Sequence, residues 1–185
     1  KPKQKTTLPP IFPKKADKTY ILHISDMNIR KNIPFIQELF KHLDKNKYIL
    51  LRIGQKIPNI ENQISFINIS DIMKYNIIQY SDLCISTSID EGFNMPIAEC
   101  ILNNIPIIST DMPVIKELYD NTIITVNTKA KIKGKQIIND YNEIDQWIDI
   151  IKNNTWKYDI SPAKKLLLDK IEKSKNNLKK ILNRD

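Results

Sequence analysis

The chain has 185 residues, 41% of them hydrophobic and 27% charged, with a formal net charge of +8; that is enough for one globular domain with its own core. No apolar run approaches the roughly 20 residues of a membrane-spanning helix, and the opening KPKQKTTLPP lacks the apolar centre of a signal peptide. The basic excess sits at the two ends, +5 over residues 1–18 and +6 over 152–185, against −3 between them. Nucleic-acid binding calls for a charged folded face with interleaved aromatics, so it is excluded as a partner class. A weak contact of the two ends with an acidic or membrane surface fits this distribution better.

Residues 1–18 scatter Pro2, Pro9, Pro10 and Pro13 among lysines and read as an extended basic linker. As Lys1 is not Met, the start reads as an internal position of a longer polypeptide or a trimmed end. The run YILHI (20–24) predicts a buried strand. Phe35, Ile36, Leu39, Phe40 and Leu43 then follow helical spacing behind Pro34. YILLRI (48–53) and ISFI (64–67) predict two more strands, Asp71 caps a helix reaching Tyr80, and LCIS (83–86) predicts a fourth strand. A helix from about Pro96 to Asn103 follows, then a strand over 105–109, a helix from Pro113 to Tyr119 and a strand over 122–126. KAKIKGK (129–135) reads as an exposed basic loop and 140–152 as a helix containing Trp147. Ser161-Pro162 supplies the cap and first position of a long terminal helix over 156–185, with Leu167, Ile171, Leu178, Ile181 and Leu182 on one stripe.

Apolar strands alternating with helices predict a Rossmann-like, doubly wound parallel sheet over 19–155, covered on both faces. Ligands of such sheets bind beyond the carboxyl ends of strands, which directs attention to Ser25–Asn32 and Thr87–Met95. The second segment holds one of only three glycines and an acidic pair spaced E-x7-E, Glu91 and Glu99. A carboxylate at position 99 suits two vicinal hydroxyls, since it accepts two hydrogen bonds at once. Gly92 allows close backbone approach, and the free N–H groups from Phe93 to Met95 suit an oxygen-rich or anionic group. Spacing alone leaves open a plainer reading, in which both acids complement the helix dipole and Arg30-Lys31-Asn32 is a solvated basic turn. His23 reads as a core histidine, His42 as solvent-facing, Cys84 and Cys100 as buried thiols, and Trp147 and Trp156 as packing residues. There is no zinc spacing, Asp-x-Asp clamp, P-loop or G-x-G-x-x-G.

The stretch DEGFNMPIAECILNNIPIIST resembles the signature of retaining GT-B glycosyltransferases, of the family-4-like, group 1 kind: E-G-F-G-x-P, a Glu, a small-residue turn, then P-(V/I)-(V/I)-(A/S)-(S/T). YSDLCISTS, MPVIKELYDN and ILHISDMNIRKN are similar to flanking segments of the same pattern, so the resemblance spans about residues 19 to 155. It implies one half of a GT-B fold and a hexosyltransferase-type reaction, moving a sugar from a nucleotide diphosphate to an acceptor hydroxyl. It also implies no metal and no cofactor beyond that donor. By carry-over, Glu91 faces the donor sugar and the reacting region. Gly92, Phe93, Asn94 and Met95 offer backbone to sugar and phosphate, Glu99 holds the ribose, and Arg30 with Lys31 stabilises the leaving diphosphate.

The chain departs from the pattern at Ser25 and Asp26, where many members carry Gly and Arg, and at Asn68, Asn94 and Asn104, where glycine is usual. GT-B enzymes have two Rossmann-like domains, and the resemblance covers only the donor-binding one. The expectation is a cytoplasmic protein, inactive without the N-terminal, acceptor-binding domain of the same polypeptide. Two other readings stand beside it: a degenerate, non-catalytic binding or assembly module, and a peripheral membrane module acting through its basic terminal helix. Base, sugar, acceptor and oligomeric state are not written in the side-chain pattern.

Overall fold

The computed structural model describes residues 13–182, with side chains to 179. The linker reading as far as residue 12, and the Ile181 and Leu182 side chains of the terminal stripe, lie outside the described residues. Six strands form one parallel sheet: β1 (Thr19–Ile24), β2 (Tyr48–Ile53), β3 (Gln63–Phe66), β4 (Leu83–Ser86), β5 (Ile107–Thr110) and β6 (Ile124–Val126). Their order is β3-β2-β1-β4-β5-β6, with Ile21 opposite both Leu50 and Leu83 in register. The apolar runs explain the arrangement: β4 and β5 are buried at every position, as a central parallel strand must be when both faces are covered.

One face is covered by α1 (Ile33–Lys41) and α5 (Ile144–Lys152), where Phe35, Ile36, Leu39, Trp147 and Ile151 are buried. Phe35 meets Trp147 edge-on at 5.6 Å. The other face is covered by α2 (Asp71–Tyr80), α3 (Met95–Leu102), α4 (Pro113–Tyr119) and the start of α6 (Ser161–Leu182), which buries Ala163 and Leu167. Beyond Ile171 the helix leaves the core, and Leu178 is exposed. His23, Cys84, Cys100, Trp147 and Trp156 are all buried.

The 129–135 segment is not a loop. Ala130–Lys133 (β7) and Gln136–Asn139 (β8) pair antiparallel across a two-residue turn, with Gly134 at φ +60. The alternation of Lys131, Ile132 and Lys133 is a strand pattern hidden by its lysines, and glycine at the first turn position suits a tight hairpin. Two caps also shift. Ser70, not Asp71, accepts from the Met73 N–H, and the Asp159 carboxylate accepts from the Ser161 N–H that opens α6. The Ser161 bonds hold the Asp159 carboxyl below its usual value. Asn68, Asn94 and Asn104, which stand where the resemblance places glycine, all have positive φ, as asparagine permits.

Candidate active site

β1 and β4 are neighbours, yet the chain leaves β1 toward one side of the sheet and β4 toward the other, so a crevice opens beyond their carboxyl ends. The loop after β1 is built by short polar side chains. Asp26 Oδ1 accepts from the Asn28 N–H at 3.0 Å, and Asn28 Oδ1 accepts from the Arg30 N–H at 3.0 Å, capping a single 3-10 turn, Ile29–Lys31. Asn32 ends that turn in the left-handed region, φ 51, and opens α1. It is fully buried, and its amide exchanges two hydrogen bonds with Asn139 of β8, at 2.7 and 2.9 Å.

The loop after β4 is stitched to this turn. Thr87 Oγ1 donates to the Lys31 carbonyl at 2.9 Å, and the Ile89 N–H donates to the Arg30 carbonyl at 2.9 Å. The side chains follow: Lys31 Nζ lies 2.5 Å from Glu91 Oε1, and Arg30 lies 3.5 Å from Asp90. Lys31 and Glu91 are only 18% and 13% exposed, so this pair sits at the floor of the crevice, whereas Arg30 and Asp90 are on its rim. Four of the sequence-selected residues are thus brought together here: Arg30, Lys31, Glu91 and, next to it in the chain, Gly92.

Gly92 does not have positive φ, and a Cβ built on it meets no atom within 4 Å. Neither backbone conformation nor internal packing therefore demands a glycine there. Phe93 and Met95 are exposed, while Asn94 turns inward, donating from Nδ2 to Ser86 Oγ at 3.0 Å. Asn94 begins α3 without a side-chain cap; Pro96 has no N–H and the Ile97 and Ala98 N–H groups donate to the Asn94 carbonyl, so the Met95 N–H is the first-turn donor left for another partner. Glu99, on the next turn, is held by Lys74 of α2 at 2.6 Å and is a quarter exposed.

Three residues near the site are absent from the sequence reading. Lys74 and Asn139 lie 25 and 107 positions from their partners and leave no local signal. Arg52 does leave one, a charge inside the apolar run YILLRI. It is fully buried at the carboxyl end of β2. Its guanidinium donates to the carbonyls of Gln55, Ile53 and Asp26 at 3.1, 3.2 and 3.3 Å, and to His23 Nδ1 at 3.0 Å. Burial pulls its pKa down to about 10, and the Asp26 carboxylate pulls the other way, so it stays cationic at neutral pH. His23 accepts through Nδ1 and stays neutral; burial first, then Arg52 and Lys31, push its pKa well below the usual value. Asp26 is thus tied to its own loop and faces a buried cation. Gly54 completes the contact, because a Cβ there would lie 2.2 Å from the Ser25 carbonyl oxygen.

Among the described residues no group of three or more His, Cys, Asp or Glu side chains gathers as a metal site, and no helix is long and apolar enough to cross a membrane. The sheet order and the crevice at its switch point define a Rossmann-like, doubly wound type of domain. The sequence profile of the family described as "Glycosyl transferases group 1" matches residues 4–149, and the chain belongs to that family. It is 30% identical over 88 residues to the O-antigen chain mannosyltransferase RfbU of Salmonella typhimurium, covering 48% of this chain and 25% of RfbU. Among solved GT-B structures, the sucrose-phosphate synthase of Thermosynechococcus elongatus superposes with a TM-score of 0.69 at 14% identity, over 91% of this chain and 46% of that one. TarM superposes at 0.63 with 19% identity, over 90% and 35%. The chain therefore spans a quarter of the length of RfbU and less than half of either enzyme of known structure. The fold is one Rossmann-like unit of the GT-B kind with a long C-terminal helix.

Proposed function

We propose that this chain is the donor-binding half of a retaining, metal-independent hexosyltransferase that takes its sugar from a nucleotide diphosphate. The observation that carries the reading is the meeting of Lys31 with Glu91, and of Arg30 with Asp90, at the switch point, beside a Gly92 that the fold itself does not require. In this reading the space over Gly92 belongs to the donor sugar, with Glu91 and the backbone of Phe93, Asn94 and Met95 around it. Arg30 and Lys31 lie where negative charge grows as the diphosphate leaves. Lys31, already paired with Glu91, is shared between carboxylate and phosphate when donor arrives, which orients both before reaction. Glu99 accepts from the two ribose hydroxyls while Lys74, 2.6 Å away, holds its carboxylate in place.

The acceptor side belongs to a second Rossmann-like domain of the same polypeptide, without which no transfer is expected. A groove of about 610 Å³ between α4 and the outer half of α6, lined by Phe93, Leu118, Ile171 and Leu178, offers that domain an apolar seat. The location in this reading is the cytoplasm, with the basic ends as weak contacts for an acidic surface. A second reading, a non-catalytic binding module, is favoured by one observation: Lys31–Glu91 and Lys74–Glu99 are both closed ion pairs, so the site's charges satisfy one another.

The deciding experiment is titration calorimetry of the protein against UDP, GDP, ADP, CDP and their sugar conjugates without metal. One nucleotide is expected to bind, and Glu99→Ala is expected to raise its Kd at least about tenfold, the value of a charge-assisted hydrogen bond. An unchanged Kd overturns the ribose assignment. Binding without transfer or hydrolysis by the full polypeptide selects the second reading.

A further inference from the structure

The β7–β8 hairpin carries Lys129, Lys131, Lys133 and Lys135 with no acid before Asp140. None of the four side-chain ammonium groups has an ion-pair or hydrogen-bond partner among the described residues. Most lysines elsewhere near the crevice are neutralised, Lys31 by Glu91 and Lys74 by Glu99. An uncompensated cluster of this density is a strong local source of positive potential.

The hairpin is also fixed in place. Side chains of directly opposed residues share a face, so Ala130, Asn139, Ile132 and Ile137 form one face and Lys131, Ile138 and Lys133 belong to the other. The first face looks inward: Asn139 is bonded to the buried Asn32. Ile137 and Lys135 border a cavity of about 500 Å³ whose other walls include Met27, Ile29, Ile33 and Pro34. Ile29 of the Ile29–Lys31 turn lines this cavity, and the next two residues, Arg30 and Lys31, belong to the candidate donor site. The apolar residues Met27, Ile132 and Ile138 are 42%, 45% and 54% exposed, interspersed with the free lysines.

We propose that this hairpin and cavity form a seat for phosphorylated amphiphiles, through which the domain rests on an anionic lipid surface. Lys131 and Lys133 take headgroup phosphates beside Ile138, which shares their face and enters the interfacial layer, while Lys135 stands at the cavity whose mouth, walled by Met27, Ile29 and Ile137, receives the first apolar part of one lipid. Basic residues flanking exposed aliphatic ones match an anionic leaflet in both charge and polarity. A nucleic-acid partner fits less well, because neither strand carries an aromatic ring on which a base could stack. The proposal concerns binding only and stands whether or not the crevice transfers a sugar.

The test is co-sedimentation of the protein with phosphatidylcholine vesicles, with and without phosphatidylserine, at low and high salt. Binding is expected only with the anionic lipid, and to weaken with salt. Each lysine near an anionic leaflet strengthens binding about fivefold, so K131S/K133S/K135S is expected to lose roughly a hundredfold. Ile138→Ser is expected to lose affinity without altering the salt dependence. K173S/K175S/K179S, on the exposed far part of α6, is the matched control and is expected to lose little. Far-ultraviolet circular dichroism and nucleotide binding, read on the same preparations, separate a lost surface from a lost fold. The proposal is overturned if the triple variant sediments like the unmodified protein, or if the α6 control loses as much. It is overturned as a lipid seat if calorimetry with inorganic pyrophosphate shows lysine-dependent binding while the vesicles give none.

Discussion

Replacing Arg52 by Met keeps most of the side-chain volume and strips every donor from a fully buried position. Four acceptors lose a partner, but unequally. The Ile53 carbonyl also accepts from the Ser25 N–H at 3.2 Å, and Gln55 and Asp26 are exposed residues whose carbonyls water can reach. His23 Nδ1 has no such escape: its ring is 2% exposed. An orphaned buried acceptor costs about 1–3 kcal/mol. The three weakened carbonyl bonds add to this, while removal of a buried cation gives back part of its desolvation penalty. The expected net loss is about 2–4 kcal/mol, read as a lower urea midpoint at unchanged slope. Adding His23→Phe removes the orphaned nitrogen, so R52M/H23F is expected to be more stable than R52M by about 1 kcal/mol. A single variant within 0.5 kcal/mol of the unmodified protein, roughly the scatter of a neutral surface change, refutes the reasoning. So does a double variant less stable than the single one.

Gly54→Ala forces a Cβ to within 2.2 Å of the Ser25 oxygen at φ +131, and is expected to cost about 3 kcal/mol or more in the same denaturation assay; a neutral result would mean that the β1 and β2 ends are not locked together. Because burial depresses the His23 pKa in the folded state, the unfolded chain binds the extra proton. Stability should therefore fall as pH drops below about 6.5, by up to about 1.4 kcal/mol per pH unit from this residue. His23→Gln, which can still accept from Arg52, should flatten that slope, and an unchanged slope assigns it to other groups. Lys31→Ala is expected to weaken a nucleoside diphosphate about tenfold or more and the matching nucleoside little; equal losses for the two ligands mean that Lys31 does not meet phosphate.

What could be read in advance depended on whether a signal was local. The parallel sheet, its two covered faces and the crevice loops follow from apolar runs and turn residues, and these lie within a few positions of one another. The meeting of Lys31 with Glu91 was legible only because both motifs end strands that the topology makes neighbours. Lys74 with Glu99 and Asn32 with Asn139 depend on how a helix and a hairpin are laid over the sheet, which no window of the sequence contains. The hairpin was misread as a loop because lysine, depleted from most strands, masked a two-residue alternation. Arg52 announced itself as a charge in an apolar strand, but its meaning required its four partners.

The positive-φ positions of this chain have a mechanical consequence. Apart from two glycines and Asp120, the described residues in that region are asparagines: 32, 59, 68, 94, 104 and 154. A glycine at such a corner acts as a hinge, since nothing beyond its backbone restrains it. An asparagine brings an amide, and here three of the six fasten the corner to a distant element: Asn32 to Asn139, Asn94 to Ser86 and Asn104 to Lys164 of α6. The two of these corners that border the crevice, Asn32 and Asn94, therefore behave as rivets. Any opening and closing about this domain must be absorbed elsewhere, in the outer turns of α6 beyond Ile171, where the helix leaves the core.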